Sequence, residues 1–235
     1  MPPPSPEPSL DPDELTPVAQ DYLKAVWSAT EWSDESVTTG LLADRLGVGP
    51  STVSETVRRL TAQGLLGHEP YRGVWLTELG RRYALVMVRR HRVLETWLVR
   101  ELGYAWDEVH DEAEVLEHAV SDRLVERIAA RLGHPERDPH GDPIPGPDGQ
   151  VVRPAAVPLV DLASGAHGVV ARISDADPEA LRYLAELGID LDVTVVVTER
   201  REFAGTVGLA WERDGEQVAV DLGMLAASRI WVVPA

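Results

Sequence analysis

The chain has 235 residues, 44% of them hydrophobic, which is length and apolar content enough for one large or two to three small globular domains with cores of their own. No apolar run approaches the ~20 residues of a membrane span and Met1-Pro-Pro-Pro lacks the layout of a signal peptide, so a cytoplasmic protein with no membrane partner is expected. With no cysteine, disulfides, zinc–thiolate sites and iron–sulfur clusters are excluded, and any metal must be held by imidazole, carboxylate and carbonyl groups.

The net charge of −17 argues against a nucleic-acid partner until its distribution is considered. Residues 1–43 carry one Lys against eight acidic residues, whereas residues 44–100 carry ten Arg against five. A single basic island therefore lies in an acidic chain.

Met1 to about Asp13 is rich in proline and poor in apolar residues, the composition of a disordered tail, here taken as 1–14. From Leu15, the residues Val18, Tyr22, Leu23, Val26 and Trp27 recur at the spacing of an amphipathic helix, with Asp21 beside the stripe. Thr38 and Thr39 offer an N-cap for a helix through Leu41, Leu42 and Leu46 that stops at Gly47-Val48-Gly49. A second helix starts at Pro50 or Ser51, with Val53, Val57 and Leu60 inward and Ser51, Thr52, Ser54, Glu55 and Thr56 outward.

Helix, glycine turn and second helix form a helix-turn-helix pattern. Small hydroxyl side chains let such a helix approach base edges, and Arg58 and Arg59 follow one turn on to meet phosphates. Gly64-Leu-Leu-Gly67 ends the helix, and residues His68 to Leu76 read as a hairpin with Arg72-Gly73 at its tip, the wing of a winged helix. The expected contacts to double-stranded DNA are Thr39, Ser51, Thr52, Ser54, Glu55, Thr56, Arg58, Arg59 and Arg72.

The next helix starts at Thr77 and runs through Ala84, Val88, His91 and Glu95 to about Leu102, carrying Arg81, Arg82, Arg89, Arg90 and Arg92; Gly103 ends it. Residues Trp106 to Leu132 read as one further helix. Its turn of about 100° per residue places His110, Glu114, Glu117 and His118 in one sector roughly 100° wide. A solvated helix face would look the same, but His91 and Glu95, four residues apart on the preceding helix, offer a second wall of ligands. Two such helices packed together would enclose a cation.

The Pro-rich stretch from His134 to Pro147 reads as a loop leading into a linker that ends near Pro158. Beyond Leu159 the pattern becomes β. Val169–Ile173, Val193–Val197, Thr206–Trp211, Gln217–Val220 and Ile230–Val233 are strand candidates, Asp214-Gly215 is a hairpin turn, and one helix spans Asp177 to Leu187. Five short strands in about 75 residues fit a small SH3-like barrel.

Residues 15–150 resemble the diphtheria toxin repressor family of metal-dependent transcriptional repressors, which includes iron-dependent regulators and manganese transport regulators. The resemblance rests on Asp21-Tyr22-Leu23, the recognition helix Gly49-Pro-Ser-Thr-Val-Ser-Glu-Thr-Val57, Leu76-Thr77-x-x-Gly80, Arg90-His91-Arg92 with Glu95, His110-Asp-Glu-Ala113, Glu117-His118-x-x-Ser121-Asp122 and Gly141-x-Pro143-Ile-Pro-Gly146. It implies a mainly α fold with a small β domain: a winged-helix DNA-binding domain (15–87), a helical dimerisation and metal-binding domain (88–150), and a linker with an SH3-like domain (151–235).

The resemblance also implies two metal positions. A primary site falls on Asp21, Glu114, Glu117 and His118; an ancillary site falls on His91, Glu95 and His110, completed by an acidic residue of the C-terminal domain for which Asp177 is a candidate. The iron-responsive branch has Met at the position of Asp21 and Cys at that of Glu114, whereas the manganese branch has carboxylates at both. Hard oxygen donors suit Mn(II), although such sites also take Fe(II), Co(II), Zn(II) and Cd(II) in vitro. Short members of the manganese branch place a Glu three residues after the Asp. This chain has Lys24 there, which favours separate sites over a closely spaced binuclear cluster.

The function expected is therefore a Mn(II)-activated repressor that binds an inverted-repeat operator as a homodimer and controls manganese homeostasis genes. The alternatives are an Fe(II)-responsive regulator of the same family and a metal-independent winged-helix regulator. An enzyme is not expected, because a carboxylate-bridged oxidase needs paired Glu-x-x-His motifs and Glu117-His118 are adjacent.

Overall fold

The computed structural model describes residues 14–69, 72–213 and 215–235. Residues 1–13 of the expected tail, Pro70-Tyr71 of the expected wing and Asp214 of the expected hairpin turn lie outside them. Two compact units are formed. One comprises the described residues up to His91 with Glu117–Val120 and Pro145–Gln150; the other comprises Arg92–Leu116, Ser121–Ile144 and Val151–Ala235. Among the described residues no helix is long and apolar enough to cross a membrane.

In the first unit, Thr16 caps α1 (Pro17–Glu31) by accepting from the Ala19 amide, and Pro17 supplies a first turn that needs no donor. Tyr22, Leu23, Val26 and Trp27 are buried as their spacing predicts. Val18, expected in that stripe, is 49% exposed; Ala19 and Gln20 are buried at this end of the helix instead. Thr38, the first of the two proposed caps, accepts from Leu41 N and starts α2 (Thr39–Leu46), which closes on left-handed Gly47. The second helix, α3 (Pro50–Ala62), follows at once.

The antiparallel wing strands are β1 (Leu66–Glu69) and β2 (Gly73–Leu76), with Val74 N donating to Val37 O at 2.8 Å. Thr77 Oγ1 accepts from Gly80 N and donates to Gly64 O at 2.6 Å, capping α4 (Glu78–Leu102) and tying its start to the turn after α3. Gly80 is required there, because a Cβ would lie 1.9 Å from the Leu65 carbonyl oxygen.

The single helix expected from Trp106 to Leu132 is two helices, α5 (Val109–Glu117) and α6 (Asp122–Arg131). The break is set by Ser121, which is extended and accepts from Leu124 N as the cap of α6, so the backbone leaves helical geometry between them. Each helix keeps its own buried residues, Val109 and Ala113 on α5, Val125, Ile128 and Ala129 on α6. The pattern of apolar residues therefore runs on through the break.

The Pro-rich stretch is irregular, as expected, but residues 138–144 are packed and not linker-like. Prolines forbid a regular element, and buried Asp138 replaces it by accepting from His140 N and Asp142 N. Gly141, at φ +92, lets the chain pass so close that a Cβ would lie 2.1 Å from Ala171 O. Ile173 N then donates to His140 O at 2.9 Å, fixing the segment to the β domain of the second unit.

That domain is one antiparallel sheet of six strands, β3 (Val157–Pro158), β4 (His167–Ile173), β5 (Thr194–Arg201), β6 (Thr206–Arg213), β7 (Glu216–Gly223) and β8 (Ile230–Pro234), in the order β3-β8-β4-β5-β6-β7. Register shifts at Val170/Arg172 and Val197/Glu199 bend the strands in the manner of β-bulges. Helix α7 (Pro178–Leu187) contributes Leu181 and Leu184 to a core with Ile173, Val195, Leu209, Trp211 and Val232, and α8 (Met224–Ala227) is a single turn. β3 escapes sequence reading because two residues, one of them Pro, show no alternation. The architecture is mainly α with a small SH3-like β domain.

Candidate metal centre

In the first unit, the helix carrying Asp21 also buries Gln20, and both meet His118 just beyond α5. His118 Nε2 lies 2.9 Å from Asp21 Oδ1, and its Nδ1 lies 2.6 Å from the side-chain oxygen of Gln20. An amide oxygen only accepts, so Nδ1 carries the proton and Nε2 is the nitrogen presented to the Asp21 side. Glu117 is fully buried. Its Oε1 is 2.6 Å from Lys24 Nζ, its Oε2 is 2.5 Å from His91 Nδ1, and Arg90 donates to its main-chain oxygen at 3.4 Å.

Burial works to raise the Glu117 pKa, but the hydrogen bonds and charges of His91 and Lys24 hold it below the usual carboxylate value. The carboxylate is thus ionised and held in place. Ligand atoms of Asp21, Glu117 and His118 all lie within 4.8 Å of one another. Glu114 stands one turn before Glu117 on α5, so helical spacing alone sets it on the same side of that helix.

In the second unit, buried Glu95 is approached by His110, whose Nδ1 lies 3.5 Å from Glu95 Oε1 and 3.4 Å from Asp175 Oδ2, while its Nε2 lies 3.5 Å from Glu114 Oε1. His140 is fully buried. Its Nε2 donates to Trp106 O at 2.7 Å; its Nδ1 has no hydrogen-bond partner and lies 3.9 Å from Glu95 Oε2. Glu95, His140 and Asp175 each bring a ligand atom within 4.8 Å of the others. His91 stands one turn before Glu95 on α4.

The electrostatics of this cluster call for positive charge. Burial opposes a charge on His110, but hydrogen bonds and charges from Asp175 and Glu95 overcome it and raise its pKa to about 10. His140 is raised in the same way, against burial, by Asp138, Glu95 and Asp175. For Asp175, burial works upward, yet the His110 hydrogen bond with the charges of His140, His110 and Arg172 hold it low. Protons on the two imidazoles meet that demand; a divalent cation would meet it through the same nitrogens and oxygens. The donors are carboxylate and imidazole throughout, a set suited to hard or borderline divalent ions.

Asp177, the expected acidic contribution of the C-terminal domain, is elsewhere. Followed by Pro178, it caps α7 by accepting from Glu179 N and Ala180 N, and its other oxygen lies 3.5 Å from Arg229. Asp175, two residues earlier, faces His110 instead. His140 was also missed: the sequence signal was a His inside Asp138-Pro-His-Gly-Asp142, in a stretch whose prolines suggested a linker.

On α3, Ser51, Thr52, Ser54, Glu55, Arg58 and Arg59 are exposed, the disposition expected of a recognition helix. Thr56 is buried and does not face outward. It follows Val53 by three residues and precedes Leu60 by four, so it falls within the inward stripe. Thr39, on the first turn of α2, is half-buried. Arg72 is exposed at the wing turn, its guanidinium 4.5 Å from the Trp75 ring centroid and 3.8 Å from Glu69. Arg90 and Arg92, counted in the basic island, are buried and do not contribute to its surface.

Three family descriptions match the chain: "Iron dependent repressor, N-terminal DNA binding domain" over residues 14–74, "Iron dependent repressor, metal binding and dimerisation domain" over residues 77–146, and "FeoA domain" over residues 157–234. The iron-dependent repressor IdeR of Mycobacterium tuberculosis is 35% identical over 192 residues, which is 81% of this chain and 74% of that protein. A solved structure described as a manganese-dependent transcriptional repressor in complex with manganese is 60% identical with a TM-score of 0.89, covering 92% of this chain and all of that one. The structure of the manganese regulator SloR is 32% identical with a TM-score of 0.78, covering 94% of this chain and all of that one.

Proposed function

The chain belongs to the iron-dependent repressor family of metal-dependent, DNA-binding transcriptional repressors, and on that premise we propose that it is activated by Mn(II), binds an inverted-repeat operator as a homodimer and controls manganese homeostasis genes. The observation that carries the metal is the donor set. Asp21, Glu114, Glu117 and His118 are proposed as ligands of the activating ion, and all offer oxygen or imidazole nitrogen. Mn(II) binds weakly in the Irving–Williams order and is favoured by leaving out the soft donors its competitors prefer. The 60% identical manganese-dependent neighbour supports this reading. The 35% identical iron-dependent relative favours Fe(II) as the second reading.

A second ion is proposed on Glu95, His110, His140 and Asp175, with His91 adjoining on α4. His140 Nδ1, buried without a hydrogen-bond partner, supports it.

For DNA, Ser51, Thr52, Ser54 and Glu55 are proposed to read bases, Arg58, Arg59 and Arg72 to meet phosphates, and Thr39 to contact the backbone beside them. Asp21 lies on α1, which packs on α2 and through it on α3. An ion held by Asp21 therefore favours one placement of the recognition helix, raising affinity without touching DNA. The test is operator binding by chelator-stripped protein against free Mn(II) and free Fe(II), under anaerobic conditions at one ionic strength. Activation by Mn(II) at lower free concentration than Fe(II) is expected. The reverse order would assign iron, and equal binding with and without metal would break the coupling.

A further inference from the structure

The Asp21–Glu117–His118 cluster already contains a cation of its own. Lys24 follows Asp21 by one turn of α1, and its side chain is only 12% exposed. Its ammonium ends 2.6 Å from Glu117 Oε1, while the other carboxylate oxygen is taken by His91 at 2.5 Å. A fully buried carboxylate has two oxygens that can each face a cation, and here one of them faces a side-chain ammonium.

We propose that Lys24 is a built-in cation of this centre, standing at Glu117 where a second divalent ion would otherwise be neutralised, so that the site takes one ion and binds it only above a raised concentration threshold. The proposal rests on the reading that Asp21, Glu117 and His118 hold a divalent cation. Two effects of Lys24 oppose each other. It holds Glu117 in place, which favours metal, and it repels a divalent charge sharing the same carboxylate, which disfavours it. His91 also holds Glu117 in place, so the first effect is partly duplicated. The repulsion falls on Lys24, and between charges a few ångströms apart at low solvent exposure it is strong.

The test is direct binding of Mn(II), read by the loss of the free-ion electron paramagnetic resonance signal on chelator-stripped full-length protein, with folding checked by circular dichroism. Lys24→Met removes the charge at nearly constant volume and is expected to tighten binding at this site about tenfold. Lys24→Glu supplies a carboxylate in place of the ammonium and is expected to raise the number of ions bound per protomer by one, an ion that disappears again when His118→Ala is added. Lys24→Arg keeps the charge and is expected to leave both count and threshold as in the parent protein. Unchanged or weaker binding in Lys24→Met, or an unchanged count in folded Lys24→Glu, overturns the proposal. If the parent protein and His118→Ala bind Mn(II) identically, it is the metal assignment of the site that fails.

Discussion

His118 is oriented by Gln20, not only by the carboxylates around it: a buried amide oxygen 2.6 Å from His118 Nδ1 fixes which ring nitrogen carries the proton. Nε2 is left for Asp21, 2.9 Å away. Gln20 is also tethered, its amide nitrogen donating to Leu15 O at 3.2 Å, so neither its position nor its orientation is arbitrary.

Gln20 should therefore tune metal affinity without being a ligand. Gln20→Met keeps the volume and removes the acceptor, and is expected to weaken Mn(II) binding at the Asp21 site about 10–100-fold, the usual effect of losing a partner that orients a ligand histidine. Isothermal titration with Mn(II) reads this directly. An unchanged affinity would mean that His118 finds the same tautomer unaided.

The second cluster distinguishes two aspartates that look equivalent in the sequence. Asp175→Asn or His140→Ala should remove one bound ion per protomer while sparing the Asp21 site, as counted by metal analysis after gel filtration. Asp177→Ala should leave the count alone and lower stability by about 1 kcal/mol through loss of the α7 cap. If Asp177→Ala reduces the count and Asp175→Asn does not, the assignment is reversed.

Much of this was legible because it is periodic. His91 and Glu95, or Glu114 and Glu117, are spaced by a helical turn, and such pairs announce a shared face whatever the rest of the chain does. The paired helices Leu41–Leu46 and Val53–Leu60 were legible for the same reason. His140 and Asp175 sit in irregular backbone with no period, and what brings them to Glu95 is long-range: Asp138 satisfying two amides, Gly141 passing against Ala171, and Ile173 bonding His140. The break between α5 and α6 was hidden by apolar spacing that continues across it, although Ser121-Asp122 carried a capping signal. Thr56 was misplaced by its chemistry: a hydroxyl suggested DNA, while its position three residues after Val53 put it in the core.

The inward position of Thr56 is testable on α3. Arg58→Ala and Arg59→Ala should weaken binding to operator and unrelated DNA alike and flatten the salt dependence, because each removes a proposed phosphate partner. Ser51→Ala, Thr52→Ala and Ser54→Ala should act mainly on the operator. Thr56→Ala should instead lower thermal stability by about 1 kcal/mol through lost packing, with DNA selectivity unchanged. Fluorescence anisotropy on both DNAs over a salt series, beside thermal melts, separates these outcomes; a selectivity change in Thr56→Ala with no loss of stability would return that residue to the interface.

The proposed manganese preference rests on two side chains, Asp21 and Glu114, that can be exchanged for softer donors. Asp21→Met with Glu114→Cys supplies a thioether and a thiolate, whose affinity for Fe(II) and Co(II) exceeds that for Mn(II). The double variant should need less Fe(II) or Co(II) and more Mn(II) for half-maximal operator binding than the parent chain, reversing the order of the two metals. Glu117→Ala should abolish activation by every metal, since it removes a donor and also strips Lys24 and His91 of their shared partner. Changes at His110 or Glu95 should raise the metal requirement without abolishing the response, because their contacts lie with Asp175 and His140 in the second unit. The measurement is anaerobic operator binding against buffered free metal for the parent chain and each of these variants. A parent chain that answers Fe(II) and ignores Mn(II), or a double variant with unchanged preference, removes the manganese assignment and leaves a metal-gated repressor whose selectivity is set elsewhere.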